Sequence, residues 1–306
     1  MKHLRLGASE LEVSAVALGC MRINQLSVED AARLIATAQE NGINFFDHAD
    51  IYGGDGACEE HFAKAVNMSP AVRETMILQT KCGICKGYFD FSKEHILASV
   101  DGSLKRLHTD YIDVLLLHRP DTLMEPEEVA EAFDRLYESG KVRYFGVSNQ
   151  NPMQMQLLSR YVNQPLVANQ LQLGPMNTGM FDCGLNVNMA NPASVNHDGS
   201  VLEYCRLHDI TIQPWSPFQF GFFDGVYLDN PRFPELNAVI NRLATEKGVS
   251  NTAIVIAWLL RHPANMQPIA GTTNADRLAA MCRGSDITLT RPEWYEIYRA
   301  AGNVLP

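Results

Sequence analysis

Short apolar runs alternate with longer stretches of helical period along the whole chain. The runs rich in Val, Ile and Leu read as strands: Val13–Leu18, Ile43–Phe46, Met76–Thr80, Ile112–Leu117, Val142–Val147, Leu166–Leu171, Ile210–Pro214 and Met266–Ala270. Between them, Ser27–Asn41 opens on a Ser-x-x-Asp cap and stops at Gly42. Ser92–Arg106 and Pro126–Ser139 repeat that pattern, and Ser250–Arg261 and Asn274–Cys282 continue it in the later half. Eight strands alternating with helices predict a parallel sheet closed into an α/β TIM (β/α)8 barrel. An open doubly wound sheet would place Gly-x-Gly-x-x-Gly after its first strand, where this chain has Gly19-Cys20-Met21-Arg22. No linker or repeat divides the chain, so residues 1–306 read as one domain. Thr290-Arg291-Pro292-Glu293 is a capping box opening an amphipathic helix, Trp294–Ala301, expected outside the barrel. Residues 174–199 are nearly uncharged, longer than an ordinary loop, and a candidate cover for a substrate.

Composition narrows the function classes. Of 306 residues, 46% are hydrophobic and 20% charged, as in ordinary globular chains. The formal charge of −10, with no basic cluster, argues against a nucleic-acid partner. No apolar run reaches the roughly 18 residues of a membrane helix, and the N-terminus lacks a signal-peptide core. Seven scattered cysteines in so long a chain point to a reducing, cytoplasmic setting.

In such a barrel the chemistry gathers where strands end. The second run ends in Asp47-His48-Ala49-Asp50-Ile51-Tyr52, the third in Gln79-Thr80-Lys81, and the fourth in His118-Arg119-Pro120-Asp121. Each alone is weak. Together they bring Asp47, Tyr52, Lys81 and His118 to one rim.

These four residues, in order and spacing, resemble the tetrad of the aldo-keto reductases, and the resemblance runs over nearly the whole chain. It implies a TIM barrel with an N-terminal hairpin and an extra C-terminal helix, and reduction of a small-molecule carbonyl. Ser148, Asn149 and Gln170 resemble the residues that hold the nicotinamide carboxamide, and Trp215 the aromatic residue that stacks on it. Ser216 and Pro217 correspond to the pyrophosphate-side loop, and Met21, in the loop after the first strand, is also expected to touch the cofactor. Gly271, Thr272 and Arg277 resemble the loop that holds the adenosine 2′-phosphate. A cation at Arg277 suits a phosphate dianion, so NADPH is expected over NADH. Gly271 stands where several branches carry Lys, Met281 replaces a frequent Asn or Gln, and Leu173 falls near a frequent Tyr.

The residue types fit that chemistry. A free tyrosine, with a pKa of about 10, is a poor acid or base near neutrality. A buried Lys81 ammonium is expected to lower it, Asp47 to keep Lys81 charged, and His118 to orient the substrate oxygen. Two other readings stand beside this one: a lyase forming a Schiff base at Lys81, and a cofactor-sensing regulatory protein of the same fold. Cys82-Gly83-Ile84-Cys85 lacks the second pair of a zinc site, and His48 with Asp50 is a weak metal pair, so no metal is expected. Gly53-Gly54-Asp55-Gly56 reads as a turn. Phe218, Phe220, Phe222 and Phe223 hint at an apolar or aromatic substrate.

Overall fold

The computed structural model describes all 306 residues. Eight parallel strands form the barrel: β1 Ala17–Gly19, β2 Phe45–Asp47, β3 Ile77–Cys82, β4 Ile112–Leu117, β5 Val142–Ser148, β6 Leu166–Gln172, β7 Thr211–Trp215 and β8 Ile269–Ala270. Each pairs with the next, and β8 returns beside β1 with Ile269 opposite Ala17. The seam between β7 and β8 has no ladder. A bridge between Ile212 and Met266 closes it, Ile212 donating to the Asn265 carbonyl at 2.9 Å and Gln267 to the Ile212 carbonyl at 3.0 Å. The predicted run Met266–Ala270 is thus split by Pro268, which has no N–H to give a ladder. Its start serves β7 and its end serves β1.

The first predicted run is split too. Glu12–Ser14 pairs antiparallel with His3–Arg5 as a hairpin, and only Ala17–Gly19 enters the barrel. The hairpin closes the barrel floor. Its fully buried Leu6 and Val13 pack with Phe45, Val114, Leu116 and Val167 in the apolar part of the interior. Gly7 passes so close that a Cβ there would lie 2.2 Å from the Val167 carbonyl oxygen. Its φ of +53° and its N–H bond to Thr211 Oγ1 at 2.7 Å hold it in place.

Outside lie α1 Val28–Glu40, α2 Ala57–Ala65, α3 Lys93–Leu107, α4 Pro126–Glu138, α5 Pro152–Ser159, α6 Gly179–Leu185, α7 Val201–Leu207, α8 Pro234–Lys247, α9 Asn251–Arg261, α10 Ala275–Cys282 and α11 Arg291–Ala300. The five predicted barrel helices, α1, α3, α4, α9 and α10, start and stop within a residue of expectation, with Ser27, Ser92, Ser250 and Asn274 accepting from backbone N–H groups as N-caps. α11 opens on the expected Thr290–Glu293 capping box. It is locked to α9 by a reciprocal pair: the Trp258 indole donates to the Trp294 carbonyl and the Trp294 indole to the Trp258 carbonyl, both at 3.0 Å, with the rings stacked 4.8 Å apart.

Residues 174–199 are a strap. Only the start meets the rim, where Asn177 Nδ2 donates to the Gln219 carbonyl at 3.1 Å. Further on, Phe181 is buried against Trp258, His262 and Trp294, and Asp182 accepts from the Tyr298 hydroxyl at 2.6 Å. Burial is confined to the first half, around Met180, Phe181 and Cys183, while Val187, Met189 and Val195 are exposed. No helix of the chain is long and apolar enough to cross a membrane.

Candidate active site

The pleat of a strand sends alternate side chains into the barrel. Asp47 ends β2 and Lys81 lies one residue before the end of β3; the registers place Asp47 opposite Gln79 on β3. Lys81 is fully buried, its Nζ 2.8 and 2.9 Å from the two Asp47 oxygens, 2.7 Å from the His48 carbonyl and 3.2 Å from the Tyr52 hydroxyl. Tyr52 stands one turn beyond Asp47, edge-on to the His118 ring at 5.9 Å between centroids. The four residues picked out at three strand ends therefore meet at one point.

Their electrostatics follow from burial and pairing. Burial alone would pull Lys81 down, but the Asp47 charge, Tyr52 and the hydrogen bonds to both outweigh it, and its pKa stands above the ordinary value. For Tyr52 the balance falls the other way. Burial raises it and Asp47 adds to that, while Lys81 pulls down without overcoming them. The expected action of Lys81 is present, yet the net shift of Tyr52 is upward. His118 is pushed well below its usual range by burial, then by Lys81 and Arg119, so it is a neutral imidazole at pH 7. Its Nδ1 is buried without a partner.

Beside the tetrad, Ser148 and Asn149 close β5. Asn149 has φ +57° and donates its backbone N–H to the Gln170 carbonyl at 2.9 Å. Its side chain receives the Trp215 indole N–H at 3.1 Å and donates to Ser148 Oγ at 2.8 Å. Gln170 Nε2 donates to Asp47 Oδ1 at 3.1 Å. Trp215 ends β7, Ser216 follows with φ +49°, and the Pro217 carbonyl accepts from the buried Tyr227 hydroxyl at 2.8 Å. Gly271 and Thr272 follow β8. Gly271 faces open space and its carbonyl accepts from Arg22, a contact the sequence did not suggest. Arg277, in the first turn of α10, is exposed, its backbone N–H held by the Asn274 cap. Met21 is exposed on the β1–α1 loop.

The structure adds contacts that the sequence did not give. Arg119 reaches over Trp215 and Phe222, its guanidinium carbon 5.6 and 6.0 Å from the ring centres. Of the phenylalanines singled out in the sequence, Phe222 and Phe223 are exposed around Trp215, whereas Phe220 is buried against Phe233. And Gln79, Gln213 and Gln267 are fully buried inside the barrel. The cysteine pair after β3 holds no activated thiol, since burial raises both Cys82 and Cys85.

The fold has relatives among known proteins. The aldo/keto reductase family matches residues 15–301. The chain belongs to that family. An uncharacterised oxidoreductase, YcsN, of Bacillus subtilis strain 168 is 38% identical over 98% of each chain. A 6-dehydroglucose reductase of Agrobacterium fabrum is 33% identical over 96% of each. A solved structure of the thermostable aldo-keto reductase Tm1743 superposes with a TM-score of 0.78, covering 98% of this chain and 100% of the other at 24% identity, a likeness of fold. Aldo/keto reductases are oxidoreductases that typically use nicotinamide cofactors.

Proposed function

We propose that this aldo/keto reductase reduces a small-molecule carbonyl to an alcohol with NADPH, Tyr52 giving the proton. The observation that carries the reading is Lys81 Nζ, buried between Asp47 and the Tyr52 hydroxyl. Nicotinamide, when bound, supplies the hydride, and a proton must reach the oxygen to complete the alcohol. Tyr52 holds that proton: at neutral pH its raised pKa keeps it the acid form. Lys81 favours the tyrosinate left behind, and neutral His118 presents a ring nitrogen to the carbonyl oxygen. The same pairing disfavours the Schiff-base reading, because an ammonium with raised pKa and occupied N–H groups is no nucleophile.

The residues present suit the cofactor. No donor within the protein reaches the Gln170 amide oxygen, leaving it to accept from a carboxamide N–H. Arg277 stands free at the start of α10, where a helix N-terminus favours phosphate. For the substrate, the guanidinium of Arg119 between Trp215 and Phe222 adds donors to an aromatic wall. That favours an oxygen-bearing carbonyl, a hydroxylated aldehyde or ketone, over a purely apolar one.

Titration with NADPH and NADH, followed by tryptophan fluorescence, tests the cofactor. Trp258 and Trp294 are buried in their mutual stack, so quenching reports Trp215. NADPH is expected to bind more tightly than NADH. Arg277→Ala is expected to weaken NADPH by roughly 10- to 100-fold, the worth of a charged hydrogen bond, and to leave NADH unchanged. Binding of neither nucleotide would overturn the reading.

A further inference from the structure

We infer that Gln79, Gln213 and Gln267 form an amide relay that orients the Asp47 carboxylate and thereby acts on Tyr52 through Lys81. The inference rests on the proposed role of that tetrad. Gln79 lies two residues before Lys81 on β3, so both point into the barrel. Its Nε2 donates to Asp47 Oδ1 at 2.7 Å and to Gln213 Oε1 at 2.9 Å. Gln213 Nε2 donates to Gln267 Oε1 at 3.0 Å, and Gln267 Nε2 to the Ser14 backbone carbonyl at 2.8 Å. All three amides are fully buried.

The chain has a fixed polarity. A side-chain amide next to a carboxylate can turn either its NH2 or its oxygen toward it, and only the NH2 is attractive. The Ser14 carbonyl, part of the hairpin backbone, only accepts. It therefore requires the NH2 of Gln267 and turns that side chain's oxygen toward Gln213. Gln213 must then present its NH2 there and its oxygen to Gln79, and Gln79 is left with its NH2 facing Asp47. A backbone group on the barrel floor thus dictates which end of Gln79 meets the carboxylate.

This arrangement has a cost that packing alone does not explain. Gln79 Oε1 is buried with no partner, which is destabilising, and an apolar side chain would avoid it. What Gln79 provides is a third donor on Asp47 Oδ1, beside Lys81 and Gln170. It draws negative charge from the carboxylate, leaving more of the Lys81 field to act on Tyr52. Tyr52 also faces the Cys20 thiol and Arg119, and His118 lies edge-on to it; the three amides hydrogen-bond to none of these, so Asp47 is the group near Tyr52 that their replacement alters.

The test compares pH profiles of kcat and kcat/KM, in carbonyl reduction with NADPH, for the wild type, Gln79→Leu, Gln267→Met and Tyr52→Phe. Gln79→Leu is expected to lower kcat roughly tenfold with little change in KM, and to move the alkaline limb upward by about half a unit. Gln267→Met, which touches neither Asp47 nor any tetrad residue, is expected to move the limb in the same direction by less. Wild-type limbs in variants that fold and bind NADPH normally would reduce the amides to packing and overturn the relay. If Gln79→Leu does not fold, Gln267→Met decides alone. Retained activity in Tyr52→Phe would instead sink the tetrad reading, a failure separate from that of the relay.

Discussion

Asp50 sits three residues after Asp47 and takes no part in the proposed chemistry, yet burial and then the Glu59 charge push its pKa up to about 7. Ser99, Arg106 and Lys81 act in the opposite direction. In the unfolded chain it would titrate near 3.9. The fold therefore prefers its protonated form, and this residue's contribution to stability falls as pH rises from about 4 to 7. Asp50→Asn cannot ionise. Its melting temperature, relative to wild type, should gain at pH 8 and change little at pH 4; a difference flat across pH would refute the assignment. Arg119 gives a second prediction at this scale. Arg119→Met is expected to raise KM roughly tenfold for a hydroxylated aldehyde and leave benzaldehyde almost unchanged, as the loss of one charged hydrogen bond implies. Equal effects on both would mean that Arg119 only shapes the wall. The convergence of Asp47, Tyr52, Lys81 and His118 was legible because strand ends can be found from apolar runs and these residues lie at or just past them. The reach of Arg119 over Trp215 was not legible, because it depends on where the β7 loop folds. The relay was missed for another reason: a glutamine reads as ordinary surface until the register shows it sharing the inward face with Lys81.

At the scale of elements, a cap marked several helix starts but did not decide which helices were readable: α4 was read without a capping side chain, and α5, which opens on an Asn151–Gln154 capping box, was not. Ser27, Ser92 and Ser250 mark their starts with a side chain that accepts a backbone N–H. α2 starts instead at Gly56 with φ +80°, and α8 at Phe233, neither offering a capping side chain. The runs Val13–Leu18 and Met266–Ala270 each serve two partners, which hydrophobicity cannot divide. α11 depends on tertiary contact more than on its own turns, through the mutual stack and hydrogen bonds of Trp258 and Trp294. Trp294→Ala is expected to cost about 3–5 kcal/mol in urea unfolding, since it empties a large buried site and frees the Trp258 carbonyl. A loss under 1 kcal/mol would show that the helix contributes little to the barrel.

At the scale of the whole molecule, the barrel is shut at one end and chemically equipped at the other. The floor depends on Gly7, where any side chain meets the Val167 carbonyl. Gly7→Ala is expected to destabilise by more than about 1 kcal/mol, because it combines that clash with a positive φ; an unchanged melting temperature would mean the hairpin can lift away without loss. The hairpin also has a consequence in time. Arg5 on the floor accepts from Asn265, 260 residues further along the chain. At the ribosome's pace of about 5–20 residues per second, the hairpin waits roughly 13 to 50 s for that partner. Until then the Arg5 carbonyl lacks that partner. Closure of the barrel, which joins β8 to β1 and Asn265 to Arg5, is thus a late, long-range step rather than a gradual one.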